Sequence, residues 1–166
     1  LRPTSFDSQA TDRRMASIAS AASAIRTTAD AIATLDLVAR ELDVEHVCLS
    51  RITADRTAVQ SVMANADFDG GCIYPLADHP LTARVLRTGD MVQVRATDPE
   101  ADTTELAWMI PEGFRRLIMA PIMQDAEAVA LLEICGRGDR PWNRAEIYRA
   151  RVICQLLAPA IARIMA

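Results

Sequence analysis

Two apolar runs towards the C-terminal end of the chain predict a central β-hairpin. The first covers residues 117–123, the second covers residues 128–135, and the polar segment QDAE separates them. Runs of this length around a short polar segment are typical of two paired strands. Each run is apolar on both alternating faces, so each strand needs cover on both sides. We therefore expect this hairpin inside a sheet, with Pro121 at a bulge or on an unpaired side.

One charged residue interrupts the apolar pattern of the second strand. One face of that strand carries the apolar side chains of Ala128, Ala130, Leu132 and Ile134. The other face carries the side chains of Val129, Leu131, Glu133 and Cys135, of which Glu133 is charged. Buried carboxylates are usually paired, so Glu133 is expected to pair with an arginine or to lie near a hydrated rim. The alternative is that Glu133 is a polar anchor in a ligand cavity.

Helical periodicity dominates both ends of the chain. Apolar residues recur at steps of three and four before residue 33 and again after residue 143, which is the spacing of a helix–helix seam. The seam residues include Ile18, Ala22, Ile25, Cys154, Leu157, Ile161 and Ile164. Thr27 and Asp30 resemble a capping box, so two N-terminal helices are expected to meet near Thr27, or one helix to bend there. Pro159 predicts a kink or an end of the last helix near Gln155.

The middle of the chain predicts four further strands and two short helices. Strands are expected over residues 46–52, 58–64, 72–76 and 91–96. One helix is expected to begin at Asp78 as its N-cap and to end at Gly89, and a second has an acidic start within residues 98–109. Because consecutive strands pair as hairpins, the sequence favours a mostly antiparallel α+β fold.

The length of the chain and the residues at its two termini indicate its domain organisation. The 166 residues suit a single domain over residues 11–166, preceded by a flexible lead-in at residues 1–10. The chain begins without methionine and ends inside a helical pattern, so we expect a fragment of a longer protein. No apolar run approaches the ~20 residues of a membrane span, and no signal peptide pattern is present. A cytoplasmic location without membrane contact is therefore expected.

Composition argues against several classes of function. The net charge is −4, which disfavours direct nucleic-acid binding, because that needs a basic face. All 18 basic residues are arginine, so lysine-based Schiff-base and P-loop chemistry is absent. The four cysteines lack metal-ligand spacing, and no set of nucleophile, base and orienting residue is recognisable. We therefore expect neither catalysis nor a metal site in this segment.

Three segments carry a recognisable order and spacing: IYPLADHPLTARVLRTGDMVQV at residues 73–94, APIMQDAEAVALLEICGR at 120–137 and PWNRAEI at 141–147. Together they resemble a GAF domain, the small-molecule sensor module of bacterial signalling proteins. The resemblance covers about residues 25–161. It implies a six-stranded antiparallel sheet with the terminal helices on one face and short helices and loops over a pocket on the other. It also implies a parallel homodimer through the terminal helices, in agreement with the two seams.

The GAF resemblance implies a sensor function and a set of ligand contacts. A small molecule of unknown identity would enter the pocket and rearrange the helices, which act on a covalently attached output domain such as a diguanylate cyclase or histidine kinase. The expected ligand contacts are Tyr74, Asp78, His79, Arg84, Trp108 and Glu133. The alternative is a ligand-free dimerisation module in which Tyr74, Trp108, Met109 and Met119 fill the pocket. A cavity of about 300 Å3 or more would support sensing.

Coloured cofactors are less compatible with the sequence. The segment PLADHPLTAR at residues 75–84 also resembles the aspartate-containing loop of phytochrome GAF domains, which hold a bilin. Residues 96–119, however, contain none of the histidines or cysteines with which that family stacks and tethers its chromophore. Haem, the basis of a redox or gas sensor, would need His46 or His79 as axial ligand, and both fit a solvated or capping role better. The pattern of cyclic-nucleotide-binding relatives requires a lysine, which this chain lacks.

Overall fold

Eleven helices and strands follow one another in the part of the chain that the structure describes. The computed structural model describes residues 5–65 and 70–165, with side chains from residue 10 onwards. Its elements are α1 Ser5–Ala24, α2 Thr28–Leu42, β1 His46–Ile52, β2 Ala58–Ala64, β3 Ile73–Pro75, α3 Pro80–Thr88, β4 Val92–Arg95, α4 Thr103–Met109, β5 Arg116–Gln124, β6 Glu127–Gly136 and α5 Arg144–Met165. Residues 1–4 of the expected lead-in and residues 66–69 lie outside this description. Helix α1 begins at Ser5, so it includes the second half of that lead-in.

Six strands within the described ranges form one antiparallel sheet in the order β3-β2-β1-β6-β5-β4. The expected α+β class is therefore confirmed, and the hairpin of β5 and β6 lies inside the sheet as predicted. Its turn residues Asp125 and Ala126 both have positive φ, at 49° and 68°. Two such residues match the twist of adjacent strands and give a tight connection.

A bulge in β6 changes the predicted alternation close to this turn. Ile122 is paired with Ala130, whereas Met123 is paired with Ala128, so Val129 is the extra residue. A bulge reverses the facing of the residues beyond it. Val129 therefore packs with the core under the helices, and Ala128 lies in the core of the opposite face. The predicted faces hold from Ala130 to Cys135.

Helices α2 and α5 cover one face of the sheet, and α1 packs on the outside of them. Helix α2 begins with the predicted capping box, in which Thr27 accepts from the Asp30 backbone and Asp30 accepts from the Thr27 backbone. The opposite face carries a smaller core to which α3 and α4 contribute Val85, Leu86 and Met109. Complete burial of such side chains stabilises the fold by roughly 1.5–3 kcal/mol each.

The two helical seams are buried against the chain itself. Six of the seven seam residues are buried within the single chain, namely Ile18, Ala22, Ile25, Cys154, Leu157 and Ile161, and Ile164 packs partly buried against them. Helices α1 and α5 contact each other directly. The periodicity therefore reports packing within one chain, and the expected dimer interface at these residues stays a prediction.

Two local predictions were wrong, namely Asp78 as the N-cap of α3 and an early end of α5, which was one of the two effects expected of Pro159. The N-cap of α3 is His79 instead of Asp78, and Pro80 occupies the first turn, where a missing N–H is tolerated. Helix α5 continues through Pro159 to Met165 and does not end near Gln155. Ala158, Ala160 and Ile161 are buried around the proline, so tertiary packing offsets the lost backbone hydrogen bond.

A buried ion pair fixes the start of α5 to the sheet. Arg116 opens β5, its guanidinium carbon lies 3.9 Å from the centre of the Trp142 ring, and its Nη1 lies 3.5 Å from Glu146 Oε1. Glu146 also accepts from Arg140 Nη1 at 2.8 Å and from the Asn143 backbone at 2.8 Å. Burial favours the neutral form of Glu146, but these hydrogen bonds outweigh it and lower the pKa of this carboxyl to about 2.

The variant Glu146→Gln should lower the free energy of unfolding by about 3 kcal/mol at neutral pH, because buried Arg116 loses its counter-charge. A lowered pKa means stability that is present above about pH 4.5 and is lost as the pH falls towards 2. The difference from wild type should therefore shrink over that interval. Urea unfolding at several pH values measures it, with exposed Glu127→Gln as the control. If the two proteins differed in free energy of unfolding by the same amount at every pH, the lowered pKa of Glu146 would be contradicted.

Candidate functional site

A cavity of about 490 Å3 lies between the sheet and the elements that cover its second face. Its size falls within the range of small-molecule sites. Strands β1, β2, β3 and β6 form its floor, and α3, α4 and the segment after α4 form its walls. The lining residues are Glu45, His46, Cys48, Val59, Ser61, Tyr74, His79, Thr82, Glu105, Trp108, Glu112, Phe114, Leu131, Glu133, Cys135 and Arg137.

Four of the six predicted ligand contacts line this cavity. They are Tyr74, His79, Trp108 and Glu133. Asp78 and Arg84 do not line it, and both side chains are exposed. Helix α3 buries Thr82, Val85 and Leu86, which leaves Arg84 on the solvent face. Because His79 is the helix cap, Asp78 lies one residue outside the position expected for it.

Glu133 projects from the middle of β6 into the cavity. It is paired across the sheet with Cys48 on β1 and with Met119 on β5. The expected ion pair with an arginine is not found, because the ion pairs of the described residues do not include Glu133. The part of its side chain that remains exposed faces the cavity.

Burial controls the charge of Glu133. Removal from bulk water raises its pKa, the nearby Glu105 carboxylate raises it further, and a hydrogen bond from Ser50 opposes both. The result is a pKa of about 8, so the neutral carboxylic acid predominates at neutral pH. A perturbed carboxyl group in a cavity is a frequent feature of functional sites.

Glu105 organises the wall opposite the sheet. It lies in α4, whose N-terminus is capped by Asp102, and it is only 2% exposed. It accepts hydrogen bonds from Trp108 Nε1 at 2.8 Å and from Thr82 Oγ1 at 3.2 Å. His79 Nδ1 lies 4.0 Å from Glu105 Oε1. This carboxylate therefore holds α3 and α4 together and fixes the orientation of the Trp108 ring.

Aromatic rings form much of the remaining wall. Phe114 stacks on His46 with ring centres 5.5 Å apart and meets Trp108 edge to face at 6.3 Å. Tyr74 meets His79 edge to face at 5.4 Å. Burial lowers the pKa of His46, against a smaller opposing effect of Glu112, so this imidazole is neutral at neutral pH. Together the rings offer flat apolar surfaces beside the two buried carboxyl groups.

Sequence reasoning missed several lining residues, above all Glu105, Thr82 and Phe114. Glu105 and Trp108 are three residues apart, so they share one helix face, and this spacing was the available signal. The acidic residues before α4 drew attention to the helix cap instead. Thr82 and Phe114 reach the cavity only through the packing of separate elements. The described residues contain no group of three His, Cys, Asp or Glu side chains that could hold a metal ion.

The Glu133→Gln variant should be more stable than wild type at alkaline pH. A raised pKa contributes stability below about pH 4.5 that is lost as the pH rises through about 8, because ionisation of a buried carboxyl is unfavourable. Glutamine mimics the neutral acid, so its advantage should grow between these values to roughly 2–4 kcal/mol. Thermal unfolding between about pH 5 and 9 measures it. The exposed cavity residue Glu112→Gln is the control, and an advantage equal at all pH values would contradict the raised pKa.

Comparison with known proteins identifies the family. The pattern of the GAF domain family matches residues 13–161. Among solved structures, a phycoerythrobilin-bound GAF domain from a cyanobacterial phytochrome has a TM-score of 0.73 and 17% identity, covering 94% of this chain and 96% of its own. The GAF domain of the Acinetobacter phosphoenolpyruvate-protein phosphotransferase has a TM-score of 0.75 and 13% identity, covering 92% and 93%.

A third similar structure is the GAF domain of a two-component sensor histidine kinase from Bacillus halodurans, with a TM-score of 0.67, 14% identity and coverage of 81% and 93%. No curated protein sequence matches this chain. At these identities the structural likeness establishes the fold, and the family pattern spans most of the chain. The described helices include none that is long and apolar enough to cross a membrane. The chain belongs to the GAF domain family.

Proposed function

We propose that this GAF domain is a regulatory sensor that binds a small molecule in the 490 Å3 cavity and transmits a helix rearrangement to an attached output domain. The observation that carries the proposal is an open cavity that contains Glu133, a carboxyl group with no arginine partner among the described ion pairs. Burial of such a group is costly, and a ligand that hydrogen-bonds it would recover part of that cost.

The alternative of a filled, vestigial pocket is less consistent with the packing. Met109 and Met119 are completely buried in the core of the second face. Tyr74 and Trp108, which were expected to complete the filling, line the cavity instead. Two of the four candidate filling residues thus leave a space large enough for a ligand.

Only a few contacts separate the cavity from α5. Strand β6 carries Glu133 and ends at Gly136, which lies directly against Arg116, because a Cβ atom at Gly136 would be 2.6 Å from Arg116 Nε. Arg116 contacts Glu146 in the first turn of α5. A displacement of β6 by a ligand would therefore reach α5 through a buried charged contact.

The far end of α5 is also connected to the N-terminal helices. Arg163 donates to the Ile25 carbonyl group at 2.8 Å, at the junction between α1 and α2. A change in the position of α5 would therefore alter both ends of the chain. This arrangement fits an output domain attached next to a terminal helix. Two of the similar structures are GAF domains taken from a phosphoenolpyruvate-protein phosphotransferase and from a two-component sensor histidine kinase. We further propose a cytoplasmic homodimer, which would use exposed helix faces in place of the buried seams.

The cavity thiols do not fit covalent attachment of a bilin, although one similar structure is a bilin-bound domain. Burial raises the pKa of Cys48 to about 12 and that of Cys135 well above its usual value. The thiolate is the nucleophile, so both groups are unreactive at neutral pH. Both histidines line the cavity, but His46 is stacked on Phe114 and His79 lies beside Glu105. We therefore favour a reversibly bound organic ligand over bilin or haem.

Native mass spectrometry of the purified domain should show non-covalent mass that the denatured chain lacks. Recombination with the released compound should slow backbone hydrogen exchange in β6 and in the first turns of α5. Trp108→Ala should weaken binding about tenfold, because one aromatic wall is lost. Asp78→Asn, outside the cavity, is the matched control and should bind as wild type does.

Two results would contradict the proposed ligand binding in this cavity. Bare chains in the mass spectrum, together with no response to a small-molecule library in thermal unfolding, would favour the ligand-free dimerisation module. Equal losses of affinity in the Trp108 and Asp78 variants would place the ligand elsewhere.

A further inference from the structure

The charge of the cavity lining restricts the class of ligand, and this inference rests on the sensor function proposed above. Among the described residues that line the cavity, four are glutamates and one is an arginine. The glutamates are Glu45, Glu105, Glu112 and Glu133, and the arginine is Arg137. An anionic ligand would meet like charges on several sides, whereas a cation would be attracted.

The acidic groups differ in their capacity for a new partner. Glu45 accepts from the Arg137 backbone at 3.0 Å, and Glu105 is held by Trp108 and Thr82. Glu112 is exposed. Glu133 has the Ser50 hydroxyl as a hydrogen-bond partner and takes part in none of the ion pairs found in the described ranges. Among the lining glutamates that are not exposed, Glu133 on the cavity floor is therefore the one without an ion-pair partner in the described ranges.

The aromatic walls suit the same type of ligand. Ring faces carry partial negative charge and attract cations within about 6 Å. Phe114 already shows this attraction, because the guanidinium of Arg137 lies 6.0 Å from its ring centre. Trp108 and Tyr74 provide further rings beside Glu133. A cation with a flat or apolar body would contact both features at once.

We propose that the cavity binds an organic cation, an amine or amidinium on an aromatic or apolar body, whose nitrogen pairs with Glu133. The aromatic walls contact the body, and the carboxylate on β6 defines the orientation of the charged end. Because Glu133 lies on the strand that leads to Gly136 and Arg116, the charged end of the ligand acts on the element that contacts α5.

Cation binding should be coupled to proton release. The pKa of Glu133 is about 8, and a cation pairs with the ionised form, so affinity should rise as the pH increases towards and beyond 8. A neutral ligand that accepts a hydrogen bond from the acid would show the opposite trend. The titratable groups that line the cavity with Glu133 are Glu45 before β1, His46 and Cys48 from β1, Tyr74 from β3, His79 before α3, Glu105 from α4, Glu112 after α4, Cys135 from β6, and Arg137 after β6. Burial raises the pKa values of Cys48, Cys135 and Tyr74, so these groups stay protonated over the pH range in which Glu133 ionises.

The test uses three probes of nearly the same shape and different charge. They are benzamidine, a cation, benzamide, a neutral molecule, and benzoate, an anion. Isothermal titration or NMR shifts of the full chain give the affinity of each at about pH 6.5 and about pH 9. Benzamidine should bind about tenfold more tightly than benzamide at the higher pH, and benzoate should bind least. The preference for benzamidine should increase with pH.

Two variants assign the preference to Glu133. Glu133→Gln should reduce the preference for benzamidine to within about threefold of benzamide and remove its pH dependence. Glu127→Gln changes an exposed carboxylate at the start of the same strand, outside the cavity, and should behave as wild type. Circular dichroism confirms that each variant is folded.

The possible results separate the ligand class from the sensor function. Tighter binding of benzamide or benzoate, or an unchanged preference in Glu133→Gln, would overturn the cationic class and leave the sensor proposal intact. Binding of none of the probes at millimolar concentration would also overturn the cationic class, whereas the sensor proposal fails only if the mass spectra show bare chains and the small-molecule library gives no response.

Discussion

Strand β6 needs cover on both of its faces, and the two covers differ in kind. Helices α2 and α5 close one face with a continuous apolar core. The other face carries Glu133, and the elements above it leave a cavity around that carboxyl group. A charged group cannot be packed against hydrocarbon without a partner or space. Helices α3 and α4 and the aromatic residues surround Glu133 without filling the space next to it.

Two glutamates, one in the cavity and one in the first turn of α5, have opposite pKa shifts because their environments differ. Glu133 lies among apolar and acidic groups, and its pKa is raised to about 8. Glu146 accepts hydrogen bonds from Arg140 and Asn143, and its pKa is lowered to about 2. In the proposed function, Glu133 is the group that responds to a molecule in the cavity, whereas Glu146 anchors α5 to the sheet.

Local patterns predicted most of the fold, because most of its elements are specified by neighbouring residues. The hairpins, the Thr27 and Asp30 capping box and the end of α3 at Gly89 all follow from such signals. Prediction failed where packing between distant segments decides. Pro159 is accommodated inside α5, and the residues of both seams are covered within one chain. Periodicity identifies a buried helix face, but it does not identify what covers that face.

The candidate site was predicted in part for the same reason. Glu133 is recognisable because a charge in an apolar strand conflicts with its surroundings, and the family resemblance added Tyr74, His79 and Trp108. Thr82, Glu105 and Phe114 lie in ordinary local patterns and become neighbours only in the folded chain.

The contact between Gly136 and Arg116 links two positions whose side chains cannot be chosen independently. A methyl group at residue 136 would overlap the middle of the Arg116 side chain, which is held in place by Trp142 and Glu146. Divergence of this sequence at residue 136 would therefore have to be accompanied by a smaller residue at 116, whereas Glu146 would keep Arg140 and the Asn143 backbone as partners. In redesign, residues 116 and 136 would therefore have to be changed together.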